Sequence, residues 1–227
     1  MPTRPPFGDD EWYHCYNRGV DKRRIFETGR DYDRFLLTMY ASNGSSPVHI
    51  SNLKASTLSA TIQNNVFERG EPLVIIGAYC LMPNHFHFVL KETVSGGIAR
   101  FMQKVCTGYT MYFNKKQERT GALFAGSFKS KHVPDDRYFK HLVSYVHLNP
   151  AELFDTRWKY GVSDVSHIEQ RLLDYRYSSL PDFLGNDRVE KVLINPSVMD
   201  LYERKPNLKE MLIEAMEYYA TVSKVKP

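Results

Sequence analysis

Strand-like and helix-like segments follow one another in the order β-α-β-β-α-β. This order predicts an α+β, ferredoxin-like fold, an antiparallel sheet with helices on one face. Three observations carry the prediction. Residues 73–82 form a short, nearly unbroken apolar run of strand length. Pro83-Asn84 is a turn signal, and His85–Lys91 (HFHFVLK) alternates as a returning strand does. Two stretches, 32–40 and 98–113, repeat apolar residues at helical spacing.

The elements can be justified in chain order. Residues 1–10 are Pro-rich and read as an extended lead-in. Glu11–Arg18 (EWYHCYNR) reads as the first strand, ended by Gly19. Tyr32, Phe35, Leu36, Met39 and Tyr40 mark the first helix, with Thr28 or Asp31 available as its N-cap. Residues 42–70 are dominated by Ser, Asn, Thr and Gly and read as an elaborated, weakly ordered loop. Glu71–Met82 is the second strand and His85–Lys91 the third. Ser95-Gly-Gly breaks the chain before a helix over Ile98–Gln117. Gly121–Val133 reads as a fourth strand. Pro134-Asp-Asp, with proline in the first turn, starts a helix that stops at Asn149-Pro150. Residues 151–185 read as loop-rich, and the tail is helical around Lys209–Tyr219. The expected organisation is a core over 11–150 with a 42–70 insertion, an extension over 151–185 and a helical tail over 186–227.

The chain has 227 residues, 42% hydrophobic and 25% charged, which excludes wholesale disorder and suffices for a core without disulfides. Cys15, Cys80 and Cys106 are widely spaced and form no C-x-x-C pair, so they read as reduced thiols. No apolar run reaches the ~18 residues of a membrane span. The N-terminus has no apolar signal-peptide core, so a cytosolic protein is expected. The net charge is +4, and it is concentrated: residues 100–140 hold nine Lys/Arg against three Asp/Glu. Such a stretch fits either a nucleic-acid phosphate backbone or a solvated helix face.

Two clusters could do chemistry. In a strand, positions i and i+2 share a face, so His85 and His87 stand side by side, roughly 7 Å apart at Cα. That pair suits two ligands of one divalent metal, or is a pair of ordinary exposed histidines. Phe86 and Phe88 point the other way, toward the helix-packed core. In the helix, Tyr145 and Asn149 are one turn apart, about 6 Å along the axis, and can meet one site. Asn149 offers a carbonyl oxygen as a hard ligand. By itself Tyr145 reads equally as a packing residue among fifteen tyrosines.

Together these clusters carry a family resemblance. Tyr79-Cys-Leu-Met-Pro-Asn-His-Phe-His-Phe-Val-Leu90, Arg119-Thr-Gly-Ala-Leu-Phe-Ala-Gly-Ser-Phe-Lys-Ser130 and Tyr145-Val-His-Leu-Asn-Pro150 occur in family-like order and spacing. Tyr175-Arg-Tyr-Ser-Ser-Leu180, near Phe183-Leu-Gly185, is similar to a trailing family element. The chain resembles the HUH-superfamily single-tyrosine transposases of very small insertion sequences, most closely the REP-associated tyrosine transposase branch. The resemblance covers roughly residues 11–185.

By that resemblance His85 and His87 are metal ligands, Tyr145 is the nucleophile, and Asn149 is a third ligand where relatives commonly carry glutamine. The resemblance implies Mg²⁺ or Mn²⁺, although the histidines alone would also suit zinc. It implies cleavage and rejoining of single-stranded DNA through a covalent 5′-phosphotyrosine intermediate, on single-stranded or hairpin DNA as partner. Its relatives include homodimers that exchange the tyrosine helix. Lys129, Lys131, Arg100, Lys104, Lys115 and Lys116 are the expected phosphate contacts. Trp158, Tyr175 and Tyr177 are available to stack on bases or to pack in the core. Three rival readings use the same residues differently: a replication-initiation nickase, a non-catalytic or domesticated nucleic-acid binder, and a zinc hydrolase.

Overall fold

The structure, a computed structural model, describes residues 6–47, 57–64, 68–161 and 164–225, the last five by backbone only. Four strands, β1 (Trp12–Arg18), β2 (Val74–Met82), β3 (His85–Glu92) and β4 (Lys129–Val133), pair antiparallel in the order β2-β3-β1-β4. The ferredoxin-like order puts β1 and β3 side by side at the centre.

The first helix, α1 (Gly29–Ser42), is capped at Thr28, and the Asp31 carboxylate accepts from the Thr28 N–H at 2.9 Å. The two candidate caps therefore act together. Tyr112 and Lys116 of α3 (Gly97–Lys116) also donate to Asp31, at 3.0 and 2.7 Å. Burial pushes the Asp31 carboxyl up, but these donors and the Glu27 and Thr28 N–H groups more than offset it, and it stays below its usual range.

Helices α1 and α3 cover one sheet face. Phe35, Leu36 and Met39 meet Phe86, Phe88 and Leu90, which meet Phe101, Met102, Val105 and Tyr109. Each fully buried phenylalanine here contributes about 2–3 kcal/mol. At Gly77, beside the bulge in β2, an added Cβ would lie 2.9 Å from the Trp12 ring.

The second face takes the tyrosine helix expected beyond the βαββαβ core. It is covered by α4 (Asp136–Leu148), whose Phe139, Leu142, Val143 and Val146 pack on Ala78, Cys80 and Val89. Asp135 is the N-cap and accepts from Tyr138 N–H at 2.7 Å, so Pro134 precedes the cap instead of lying in the first turn.

Other boundaries also moved. The fourth strand begins at Lys129, not Gly121. Before it, Gly126 adopts φ +115°, a conformation that breaks the extended run, and its carbonyl accepts from Asn17 Nδ2 at 3.0 Å. Within 42–70, α2 (Leu58–Gln63) forms behind the Thr57 cap and buries Leu58, so this segment is not loop throughout; 48–56 and 65–67 lie outside the described residues.

The 151–185 stretch holds α5 (Ala151–Phe154), α6 (Val165–Leu173) and α7 (Leu180–Phe183). It also covers the outer edge of β2. Leu81 N–H donates to Tyr177 O at 2.9 Å, and Ser179 N–H donates to Tyr79 O at 3.0 Å. The last helix, α8 (Leu208–Val225), joins it: Leu208, Met211 and Leu212 share a core with Leu148, Trp158, Leu172 and Leu180. Trp158 is buried there, and Tyr177 stacks on Tyr32 with centroids 3.9 Å apart. Packing, not display toward bases, accounts for both rings. No described helix is long and apolar enough to cross a membrane.

Candidate active site

The site lies on the sheet face beneath α4. Antiparallel register sets Tyr16 opposite His87 and Arg18 opposite His85, and β4 adds Lys129 opposite Tyr16 and Lys131 opposite His14. Directly paired residues share a face. His14, Tyr16, Arg18, His85, His87, Lys129 and Lys131 therefore belong to one surface, while Cys15, Phe86 and Phe88 belong to the other.

The His85 and His87 rings stand 5.0 Å apart, centroid to centroid, at 89°. The Tyr145 ring lies 5.6 Å from His87 and 6.0 Å from His14. Asn149 Nδ2 donates to the Tyr145 carbonyl at 2.8 Å, and its side chain also interacts with the Tyr145 hydroxyl and the His85 ring. The fold thus brings His85, His87, Tyr145 and Asn149 of a single chain together. Helix spacing places the last two on one face, and alternation along β3 turns the histidines to the sheet face that α4 covers.

Ring-nitrogen chemistry is specified by the neighbours. His85 Nδ1 lies 2.6 Å from Asn84 Oδ1, and Asn84 Nδ2 donates to Lys22 O at 3.2 Å. That amide orientation makes Oδ1 the acceptor, so His85 carries its proton on Nδ1 and its lone pair on Nε2. His87 Nδ1 lies 2.8 Å from His14 Nε2. With the proton on His87 Nδ1, its Nε2 is likewise free to ligate. All three imidazoles are held neutral. Burial, then the Lys131 charge, lowers His14 to about 4; burial, then Arg18, lowers His85 to about 4; burial, then His14 and His85, takes His87 well down. Neutral imidazole is the form that binds metal.

Tyr145 is 37% exposed. Burial raises its pKa, hydrogen bonding to Asn149 lowers it, and the Glu152 charge raises it again, leaving it above the ordinary phenol value. One residue further along from Val146, His147 is fully buried, bonded through Nε2 to Ser179 Oγ at 2.8 Å, and points away from the site.

The six expected phosphate contacts divide. Lys129 and Lys131 are exposed on the Tyr145 face. Arg100, Lys104, Lys115 and Lys116 are on α3, across the sheet from Tyr145. Two of these are also engaged internally. Lys104 Nζ donates to Gly44 O at 2.7 Å, and Lys116 pairs with Asp31. The α3 lysines read as basic in sequence, but the sheet separates them from Tyr145.

Sequence reading missed His14, Arg18 and Glu152. The signal for the first two was present, since Trp12, His14, Tyr16 and Arg18 alternate along β1 and share the face of His85 and His87. Glu152 is on α5, seven residues beyond Tyr145, and the helical backbone at Asn149 and Pro150 keeps its charge near that residue. Among the described residues no three His, Cys, Asp or Glu side chains form a metal-binding group. The donor set toward α4 is two imidazoles and one carboxamide.

Residues 56–149 match a family model described as "Transposase IS200 like". The matched span contains His85, His87, Tyr145 and Asn149 together, whereas His14 lies outside it. A solved structure, of a REP-associated tyrosine transposase bound to a REP hairpin, aligns with a TM-score of 0.47 and 13% identity over 84% of this chain and 90% of that one. No curated protein matches the chain. Over residues 56–149 the chain is similar to the IS200-like transposases.

Proposed function

We propose that the chain cleaves and rejoins single-stranded DNA, with Tyr145 as nucleophile. The juxtaposition of Tyr145 with His87, and of Asn149 with both Tyr145 and His85, carries the reading. Tyr145 Oη attacks the phosphorus in line and forms an O–P bond while the bond to the 3′-oxygen breaks. The phenolic proton is lost, and the departing 3′-oxygen gains one. The products are a 5′-phosphotyrosine and a free 3′-hydroxyl. Attack by the 3′-hydroxyl of another strand reverses the step, forms a new DNA phosphodiester and restores Tyr145. The covalent link retains the phosphodiester's free energy, so joining requires no nucleotide triphosphate.

The residues present fit a divalent cation. His85 and His87 would hold it through Nε2, and Asn149 through Oδ1. The Nδ1 contacts to Asn84 and His14 are the outer hydrogen bonds that orient ligating histidines. A cation there, Mg²⁺ or Mn²⁺ on this reading, would supply Lewis-acid polarisation of the phosphodiester. The chain's own residues do the rest. Tyr145 supplies the attacking oxygen, Asn149 orients it, and Lys129 and Lys131 hold phosphates on the same face.

The test is a denaturing gel of the protein incubated with Mn²⁺ and a pool of labelled single-stranded hairpins. A protease-sensitive DNA adduct is expected in wild type and absent in Tyr145→Phe, with binding nearly unchanged. Cleavage without an adduct would replace this reading with metal-directed hydrolysis. His85→Ala and His87→Ala should each remove cleavage, and wild-type activity in both under limiting cation would move the metal elsewhere.

A further inference from the structure

Beside Tyr145, between α4 and α8, runs a groove of about 440 Å³ that the chemistry above leaves unused. Its size is within the range of small-ligand sites. Tyr145 and His141 line one wall, and Tyr218 and Tyr219 the other. Tyr218 is 51% exposed. Its ring lies 5.2 Å from His141 and 5.5 Å from Tyr219, so neighbouring rings hold it while one side stays open. Leu208, Met211 and Leu212 anchor α8 in the third core and set the position of this platform.

The charge of the groove selects an anionic strand. Two of its acidic residues are already paired, Glu210 with Arg204 at 2.7 Å and Glu152 with Lys159 at 3.4 Å. Arg137, Lys140 and Lys205 then face Glu214 alone. An apolar partner helix would have to desolvate these charges without compensation, whereas a polyanion compensates them.

We infer that this groove binds the nucleotide next to the scissile phosphate, stacking its base on Tyr218 with Lys140 beside its backbone. The inference rests on Tyr145 as the reacting residue: the nucleotide joined to that phosphate lies within one backbone repeat of the hydroxyl. Aromatic platforms beside basic side chains bind unpaired bases with little sequence preference. This gives α8 a task that the resemblance to transposases did not assign.

The experiment measures anisotropy of fluorescein-labelled dT10 and of an abasic strand of equal length, using the full chain carrying Tyr145→Phe to prevent cleavage. The dT10 strand should bind ~10-fold more tightly than the abasic strand, in line with stacking energies and the affinity scale. Adding Tyr218→Ala should abolish that preference, and Tyr218→Phe should keep it. Lys140→Ala should weaken both strands equally, and Lys115→Ala, across the sheet, should change neither. Equal preference with and without the Tyr218 ring overturns the inference, as does a loss with Lys115→Ala matching that with Lys140→Ala. The adduct gel separates the two readings. A Tyr218-dependent base preference without any adduct sinks the nucleophile and leaves the groove. An adduct with no Tyr218 dependence sinks the groove alone.

Discussion

Two buried side chains show how single residues set the properties of this protein. His14 orients His87 through its 2.8 Å contact. On the proposed reading, His14→Ala should weaken Mn²⁺ binding ~10-fold or more, as loss of such outer contacts does elsewhere. Calorimetric titration checks this, and an unchanged affinity would leave His14 with packing alone. Asp31 ties α1 to α3 by accepting from Lys116 and Tyr112. Replacing it with asparagine removes a charged acceptor from the partly exposed Lys116 and should cost about 1.5 kcal/mol. The pH dependence follows from the lowered carboxyl pKa. Its stabilisation is complete above the ordinary aspartate value of about 3.9 and fades as pH falls from there through the folded value. Urea midpoints at pH 7 and pH 3 should therefore differ less in Asp31→Asn than in wild type.

At the level of elements, the sheet is where packing and chemistry meet. Alternation along β3 sends Phe86 and Phe88 to the α1–α3 core and His85 and His87 to the α4 face. Phe88→Ala should cost about 4 kcal/mol by leaving a cavity, read as a lowered denaturation midpoint. The edge of β2 depends on the segment after α6. Ser179 Oγ accepts from Tyr79 N–H at 2.9 Å and lies 2.8 Å from His147 Nε2. Ser179→Ala strands both buried groups and should cost about 2 kcal/mol. Hydrogen exchange at Tyr79 should quicken in that variant, and unchanged protection would show that the edge is held without this hydroxyl.

For the whole molecule, the sheet separates two basic surfaces. Lys129 and Lys131 are on the Tyr145 side, whereas Arg100, Lys104, Lys115 and Lys116 are on α3 behind it. Lys129→Ala and Lys131→Ala should each reduce the slope of log affinity for DNA against log salt by about 1. Arg100→Ala and Lys115→Ala should leave it as it is. Lys116→Ala should lower stability in place of the slope, because its partner is Asp31. A slope loss spread evenly over both surfaces would mean that DNA wraps the sheet, not the Tyr145 face alone.

Sequence alone determined the strand and helix order, the pairing of His85 with His87 and of Tyr145 with Asn149, and the resemblance to single-tyrosine transposases. These are local: strand alternation, helical spacing and short motifs are readable over a few residues. Tertiary structure decided the rest, because it depends on register and on which face each element covers. It placed His14 against His87, moved the α3 lysines behind the sheet and buried Trp158. It also set α8 beside the tyrosine helix. No short-range pattern links Tyr218 to Tyr145, and only burying the apolar side of α8 against Leu148 and Trp158 brings them to one groove.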